Sequence, residues 1–311
     1  MTETDTSGGT SAPDSTRDAP WLVAPSRFHL PADIRLGPVR LQVADLARSL
    51  AYYERVLGLR ALERAEERAM LGAADDVTPL VELHERPGAT PVPRRGRLGL
   101  YHYALLLPSR DALGRFVIHL ARLGIPVGSA DHVVSEALYL TDPDGLGIEV
   151  YADRPRGAWR ADRGALAMAT DPLDVQDLVR VAGDAPWTGA PPGTRVGHVH
   201  LHVADLAAAA AFYHDGLGLD RVVLSFPGAL FLSAGGYHHH LGTNTWATGA
   251  PRAEEGDARL LEWTVEVPDA AAVAAAVRSL AAAGEVVRSE PEAVVAADPW
   301  GTRVRVAVRA R

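Results

Sequence analysis

Residues 196–222 read VGHVHLHVADLAAAAAFYHDGLGLDRV, and residues 36–62, LGPVRLQVADLARSLAYYERVLGLRAL, repeat the same plan without a gap. Each opens on strict alternation, which in a strand sends the two residue sets to opposite faces. In the later copy His198, His200 and His202 share one face while Val199, Leu201 and Val203 take the other. An aspartate follows, Asp45 or Asp205, placed to cap a helix whose end carries a tyrosine. The LGL exit then puts Gly58 or Gly218 where a helix terminus favours a left-handed residue.

Two further segments follow the plan. LYHYALLLPSRDALGRFVIHLARLGIPV (100–127) predicts strand, turn and helix, and leads to EALYLTDPDGLGIEVYAD (136–153), two strands around a tight DPDG turn. LLEWTVEVPDAAAVAAAVRSLAAAGEVV (260–287) and VVAADPWGTRVRVAVRA (294–310) are its counterpart. The chain therefore reads as an α+β protein of four βαβββ modules in two repeats. The expected organisation is a disordered tail over 1–28, a first pair of modules over 29–153, a connector over 154–193 and a second pair over 194–311. One helix is predicted in the connector, at DPLDVQDLVRVAG (171–183).

Composition removes several classes of function. With 311 residues, 47% hydrophobic and 23% charged, the chain can bury a sizeable core. A net charge of −8 offers no surplus of cations for nucleic-acid phosphates. The sequence has no cysteine, so a metal must be held by His, Asp, Glu or water. The first twenty residues lack the basic start and apolar core of a secretory signal. No run of about 18 apolar residues suggests a membrane span. A cytoplasmic address is the default expectation. SAGGYHHH lacks the strand-to-helix context of a phosphate loop.

Paired βαβββ modules, the DLxxSLxFY…LGL run and the DPDGxxIE turn resemble the vicinal oxygen chelate superfamily. That group includes glyoxalases, extradiol ring-cleaving dioxygenases and drug-resistance binding proteins. The resemblance spans Leu36 to Val308 and implies two pseudo-repeated domains with half-barrel sheets around a cleft. It also implies metal ligands on the first and last strands of modules. First-strand positions are then Pro38, His102, His198 and Glu262; last-strand positions are Glu82, Glu149, His240 (or His238) and Arg305.

Pro38 and Arg305 cannot ligate, so the expected metal set is His102, Glu149 and His198. Two imidazoles and a carboxylate match the facial triad of non-haem Fe(II) oxygenases, which leaves coordination positions open. The second and third modules would then face each other across one cleft, the first and fourth forming a partner barrel. Pairing in chain order would offer His198, His240 and Glu262 instead. Burying Glu149 without a partner would be costly, and a metal resolves that cost.

The resemblance further implies that His132 and Tyr139 contact substrate and oxygen intermediates, and that a histidine of the 238–240 run acts as acid or base. Period two turns His239 away from its neighbours, so His238 and His240 are the candidates. His200, His202, Tyr139 and Trp246 each have a plain reading as packed residues. The implied function is an Fe(II)-dependent extradiol dioxygenase of the catechol 2,3-dioxygenase type, acting on a small aromatic diol with O2. A glyoxalase-like isomerase or lyase using Mn, Ni or Zn, with His240 as fourth ligand, is the alternative, as is a non-enzymatic drug binder. No nucleic-acid or membrane partner is expected, and strand edges leave a homo-oligomer open.

Overall fold

The repeated switch from period two to period 3.6 produces the same unit four times in the computed structural model, which describes residues 19–310 apart from 95, 163, 225 and 292. The first module runs β1 (Arg35–Val43), α1 (Leu46–Arg55), β2 (Arg60–Arg64), β3 (Arg68–Gly72) and β4 (Pro79–Glu85). The second runs β5 (Gly99–Leu106), α2 (Arg110–Leu123), β6 (Gly128–Asp131), β7 (Ser135–Thr141) and β8 (Gly147–Asp153). The connector holds a short hairpin, β9 (Ala161–Asp162) and β10 (Ala165–Leu166), then α3 (Val175–Ala182). The third module has β11 (Arg195–His202), α4 (Leu206–Ala210) continuing as a π-helix over Ala211–Gly216, β12 (Asp220–Val223), β13 (Ala229–Ser233) and β14 (Leu241–Asn244). The fourth has β15 (Arg259–Val267), α5 (Ala270–Ala282), β16 (Val287–Glu290), β17 (Ala293–Ala297) and β18 (Arg303–Val308).

The capping aspartates act as their position requires. Asp45, Asp205 and Asp269 accept from the backbone N–H of Arg48, Ala208 and Ala272, each worth about 1 kcal/mol. No helix of the described residues is long and apolar enough to cross a membrane.

The strands form two eight-stranded sheets, ordered β12-β13-β14-β11-β5-β8-β7-β6 and β16-β17-β18-β15-β1-β4-β3-β2. The second and third modules thus share one sheet, the first and fourth the other. At each centre two first strands run antiparallel: β11 against β5, and β1 against β15. Each of these four strands also pairs in parallel with the last strand of its own module. Val199, Leu201 and Val203 are fully buried in the apolar core with Phe212 and Tyr213. The histidine face is left to the opposite side of the sheet.

In the first and fourth modules the matching positions form ion pairs. Arg40 donates to Glu82 at 2.8 Å and to Glu262 at 3.2 Å, and Arg305 donates to Glu290 at 2.5 Å.

Order begins earlier than the expected tail boundary at residue 28. Val23 forms a β-bridge with Arg221, and Trp21 and Leu22 pack on the cluster that holds Val222, Val223 and Phe231. Those two apolar side chains have a surface to bury, which the Ser-, Thr- and Gly-rich stretch before them lacks. Residues 1–18 of that tail lie outside the described residues.

The DPDG turn ties modules together. Asp142 Oδ1 accepts from the N–H groups of Asp144 and Leu146, and its Oδ2 accepts from the Tyr53 hydroxyl on α1, at 2.9, 2.9 and 3.2 Å. Asp298 repeats the arrangement with Trp300, Thr302 and Tyr213. Burial, and then the charge of Asp144, push the Asp142 carboxyl up to about 7. Its pKa is therefore higher folded than unfolded, so folding takes up a proton. This contribution is full below about pH 4 and is lost as pH rises through 7. We expect urea denaturation to show the stability of the parent relative to Asp142→Asn falling by a few kcal/mol, in order of magnitude, across that window. A difference between the two that stays constant with pH would remove Asp142 as the source.

Candidate metal centre

Strand register assembles the site. Across the second-module sheet, His198 of β11 opposes Ala104 of β5, Ala104 pairs with Glu149 of β8, and Glu149 opposes Tyr139 of β7. These four residues form one transverse row. The methyl of Ala104 is too short to fill the gap above it, so the longer side chains on either side reach over it. His198 Nε2 lies 3.1 Å from Glu149 Oε2. His102, two residues back along β5 and therefore on the same face, brings its Nε2 to 3.0 Å from the same oxygen and 3.3 Å from His198 Nε2. All three residues are buried.

This donor set fits a divalent cation. Three ligands at mutual right angles, each bonded at about 2.1–2.3 Å, are separated by about 3.0–3.3 Å, as these are. Without a cation the arrangement is held by charge: burial would push the Glu149 carboxyl up, but facing His198 and His102 outweigh it and hold it well below the ordinary range. Burial lowers His102 against the pull of Glu149. Among the described residues this is the one cluster of three or more ligating groups.

His102 and Glu149 of the triad face a cavity of about 160 Å³, walled by Phe226, Phe231, Met168 and Trp246 and bounded by Tyr101, His200 and His239. A wider opening shares Tyr101, His102, Tyr139 and Trp246 with it. His132 and Tyr139 both line the cavity. His132 Nδ1 lies 2.7 Å from the Ala169 carbonyl, which only accepts, so Nδ1 carries the proton. Its Nε2 is then free to accept from the Tyr139 hydroxyl at 2.5 Å. Burial, then Glu149, push the Tyr139 pKa well above its ordinary value, so the phenol keeps its proton.

The histidine run departs from expectation. Gly235 and Gly236 adopt positive φ, and His238 to His240 fall in the bends that follow, before β14 begins at Leu241. Period-two reasoning does not apply to them. His239 lines the cavity and its ring lies 4.1 Å from that of His198. His238 is buried behind it, donating to Asp153 at 2.9 Å. His240 turns into a separate cavity beside Tyr237 and Arg195. Burial, then His238 and Arg195, push His240 down to about 3, so it is neutral. Neither His238 nor His240 reaches the cavity at the triad, and the fourth-ligand position expected for His240 is not formed.

His238 Nε2 donates to Asp153 Oδ1, and His238 Nδ1 lies 2.7 Å from His239 Nδ1, with one proton between the two rings. The Asp153–His238 pair thereby fixes the orientation of the His239 ring. His200 is held by Asn244, whose Oδ1 accepts from the Trp246 N–H and so presents its NH2 to His200 Nε2 at 2.9 Å. Met168 and Thr170 reach the cavity from the connector, and nothing in their local sequence marks them for it.

Comparison with known proteins agrees with this architecture. The family model described as Glyoxalase/Bleomycin resistance protein/Dioxygenase superfamily matches residues 35–150 and 195–306. A catechol-2,3-dioxygenase of Bacillus subtilis (strain 168) is 47% identical over 240 residues, covering 76% of this chain and 84% of that one. Among solved structures, a candidate dioxygenase from Bacillus subtilis superposes with TM-score 0.64 at 16% identity (91% and 87% of the two chains). Glyoxalase I from Zea mays superposes with TM-score 0.53 at 18% identity (89% and 92%). At these identities the two structures speak to the fold alone.

Filling the gap in the row should close the centre. In Ala104→Leu, the added branch occupies the space over which His198 and Glu149 meet, at a cost of about 1–3 kcal/mol in overpacking. We expect metal analysis to find under a tenth of the parent's divalent metal in a chain whose circular dichroism is unchanged. Full metal content would overturn the part given to Ala104.

Proposed function

Because the chain belongs to the Glyoxalase/Bleomycin resistance protein/Dioxygenase superfamily, we propose that it is an Fe(II)-dependent extradiol ring-cleaving dioxygenase acting on catechol-type aromatic diols. The observation that carries this reading is the three-ligand set, His102, His198 and Glu149, two of which, His102 and Glu149, line an aromatic-walled cavity. The Bacillus relative named a catechol-2,3-dioxygenase supports the reaction class. Two imidazoles and one carboxylate with open positions match the facial triad of non-haem Fe(II) oxygenases, which is the ground for placing Fe(II) ahead of Mn, Ni or Zn. A glyoxalase-like site of four side chains finds no support here, since His240 is directed elsewhere.

His102, His198 and Glu149 would hold the iron, which would supply open coordination positions and redox chemistry for the diol and O2. The protein's own groups do the rest. The cavity is close in size to one that takes up benzene, so it suits a single ring, which Phe226, Phe231 and Met168 hold and shield from water. His239, on the cavity wall, is the group placed to exchange a proton with the diol, and the His238–Asp153 pair behind it orients its ring. Tyr139, its proton directed to His132, presents a hydroxyl oxygen beside Glu149 that accepts a hydrogen bond from a substrate hydroxyl. His132 is thereby a positioning residue, its own ring fixed by the Ala169 carbonyl.

Protein purified anaerobically with Fe(II) and exposed to catechol and air should form the yellow ring-fission product with one O2 consumed per diol. Absence of both colour and O2 uptake in iron-loaded protein would sink the reading. His198→Ala and Glu149→Ala should each lose iron, and either variant retaining full occupancy would refute the ligand assignment. His239→Ala and Tyr139→Phe should keep iron while kcat falls roughly 100-fold or more; an unchanged kcat would remove the residue from the chemistry.

A further inference from the structure

A second cavity, of about 350 Å³, lies at the seam of the two sheets, where β1 and β11 begin. Arg35 and Arg195, matched positions of the repeat, line it together with Arg309, which follows β18. Asp33 is the one acid lining it among the described residues, so three guanidinium groups face one carboxylate in a chain of net charge −8. Asp33 is engaged only in part: Arg309 donates to its carbonyl and sits 3.7 Å from its carboxylate. Arg309 Nε is buried without a partner. Half-buried Glu266, on β15 opposite Arg35, feels the charge of Arg309 and Arg35, and Asp153 is held by the Tyr237 hydroxyl and His238. Arg35 and Arg195 make no side-chain hydrogen bond or ion pair among the described residues.

His240 adds a neutral donor. The backbone N–H of Ala234 donates to its Nδ1 at 3.2 Å, so the ring proton resides on Nε2. That Nε2 has no protein partner among the described residues, and the ring lines the cavity. Guanidinium forks and an N–H converging on a recess are the donor set that takes a planar or tetrahedral oxyanion.

We infer that this seam cavity binds a small oxyanion, a carboxylate or a phosphate, through Arg195, Arg309, Arg35 and His240. The site is separate from the metal cavity and does not depend on the reaction proposed there.

Calorimetric titration of the full, metal-loaded chain at low salt tests it, with inorganic phosphate in one arm and malonate in the other. One saturable site per chain is expected for at least one probe. Saturation by phosphate alone or by malonate alone identifies which oxyanion the site prefers. Arg195→Ala should weaken that binding at least tenfold; because the Arg195 side chain makes no hydrogen bond or ion pair among the described residues, its loss leaves the fold intact. Arg309→Ala should act likewise, and Arg122→Ala, in the last turn of α2, should change nothing. No saturation by either probe, undiminished binding in Arg195→Ala, or an equal loss in Arg122→Ala would each overturn the assignment.

Discussion

The antiparallel pairing of β11 with β5 is the contact on which the rest depends. It joins strands about a hundred residues apart and places His198 opposite Ala104. From that single register follow the row across four strands, the gap over Ala104 and the approach of His102 on the same face. A slip of one residue would send every imidazole of β11 into the apolar core and bring Val199 and Leu201 to the cavity. The hydrophobic face of β11 thus fixes the position of the chemical face. Fold stability and ligand geometry are set by the same alternation.

The two sheets answer one electrostatic problem in different ways. Each brings carboxylates to its centre, where an unpaired charge is expensive. In the first and fourth modules Arg40 supplies the positive charge from within the chain, lying between Glu82 and Glu262. A guanidinium fixed there fills the position with its own donors and leaves nothing open. In the second and third modules the partners of Glu149 are imidazoles, whose unprotonated nitrogens can ligate a metal, any proton passing to solvent. The difference between the two sheets lies in these few side chains.

Much of this was legible in the sequence, because periodicity reports on local geometry. The gapless repeat defined the modules, the aspartates marked helix starts, and alternation put the β11 histidines on one face. The choice of second with third module followed from which module positions could ligate, and the sheets are built that way. What failed did so for physical reasons. His238 to His240 look like part of a strand, yet two glycines with positive φ place them in bends where alternation has no meaning. Met168 and Thr170 enter the cavity through tertiary placement of the connector, which no local pattern encodes. Trp21 to Val23 are ordered by a surface formed two hundred residues later.

The interleaving of modules carries a consequence for how the chain reaches its native state. The outer pair embraces the inner pair in sequence, so β1 waits for β15, some 220 residues downstream, before its sheet can close. Loop-closure entropy must be spent before that contact returns anything, which slows folding and leaves β1 an uncovered edge during synthesis. The second and third modules can meet first. Their sheet therefore offers a native-like nucleus, with His102, Glu149 and His198 already gathered, onto which the two ends of the polypeptide later fasten.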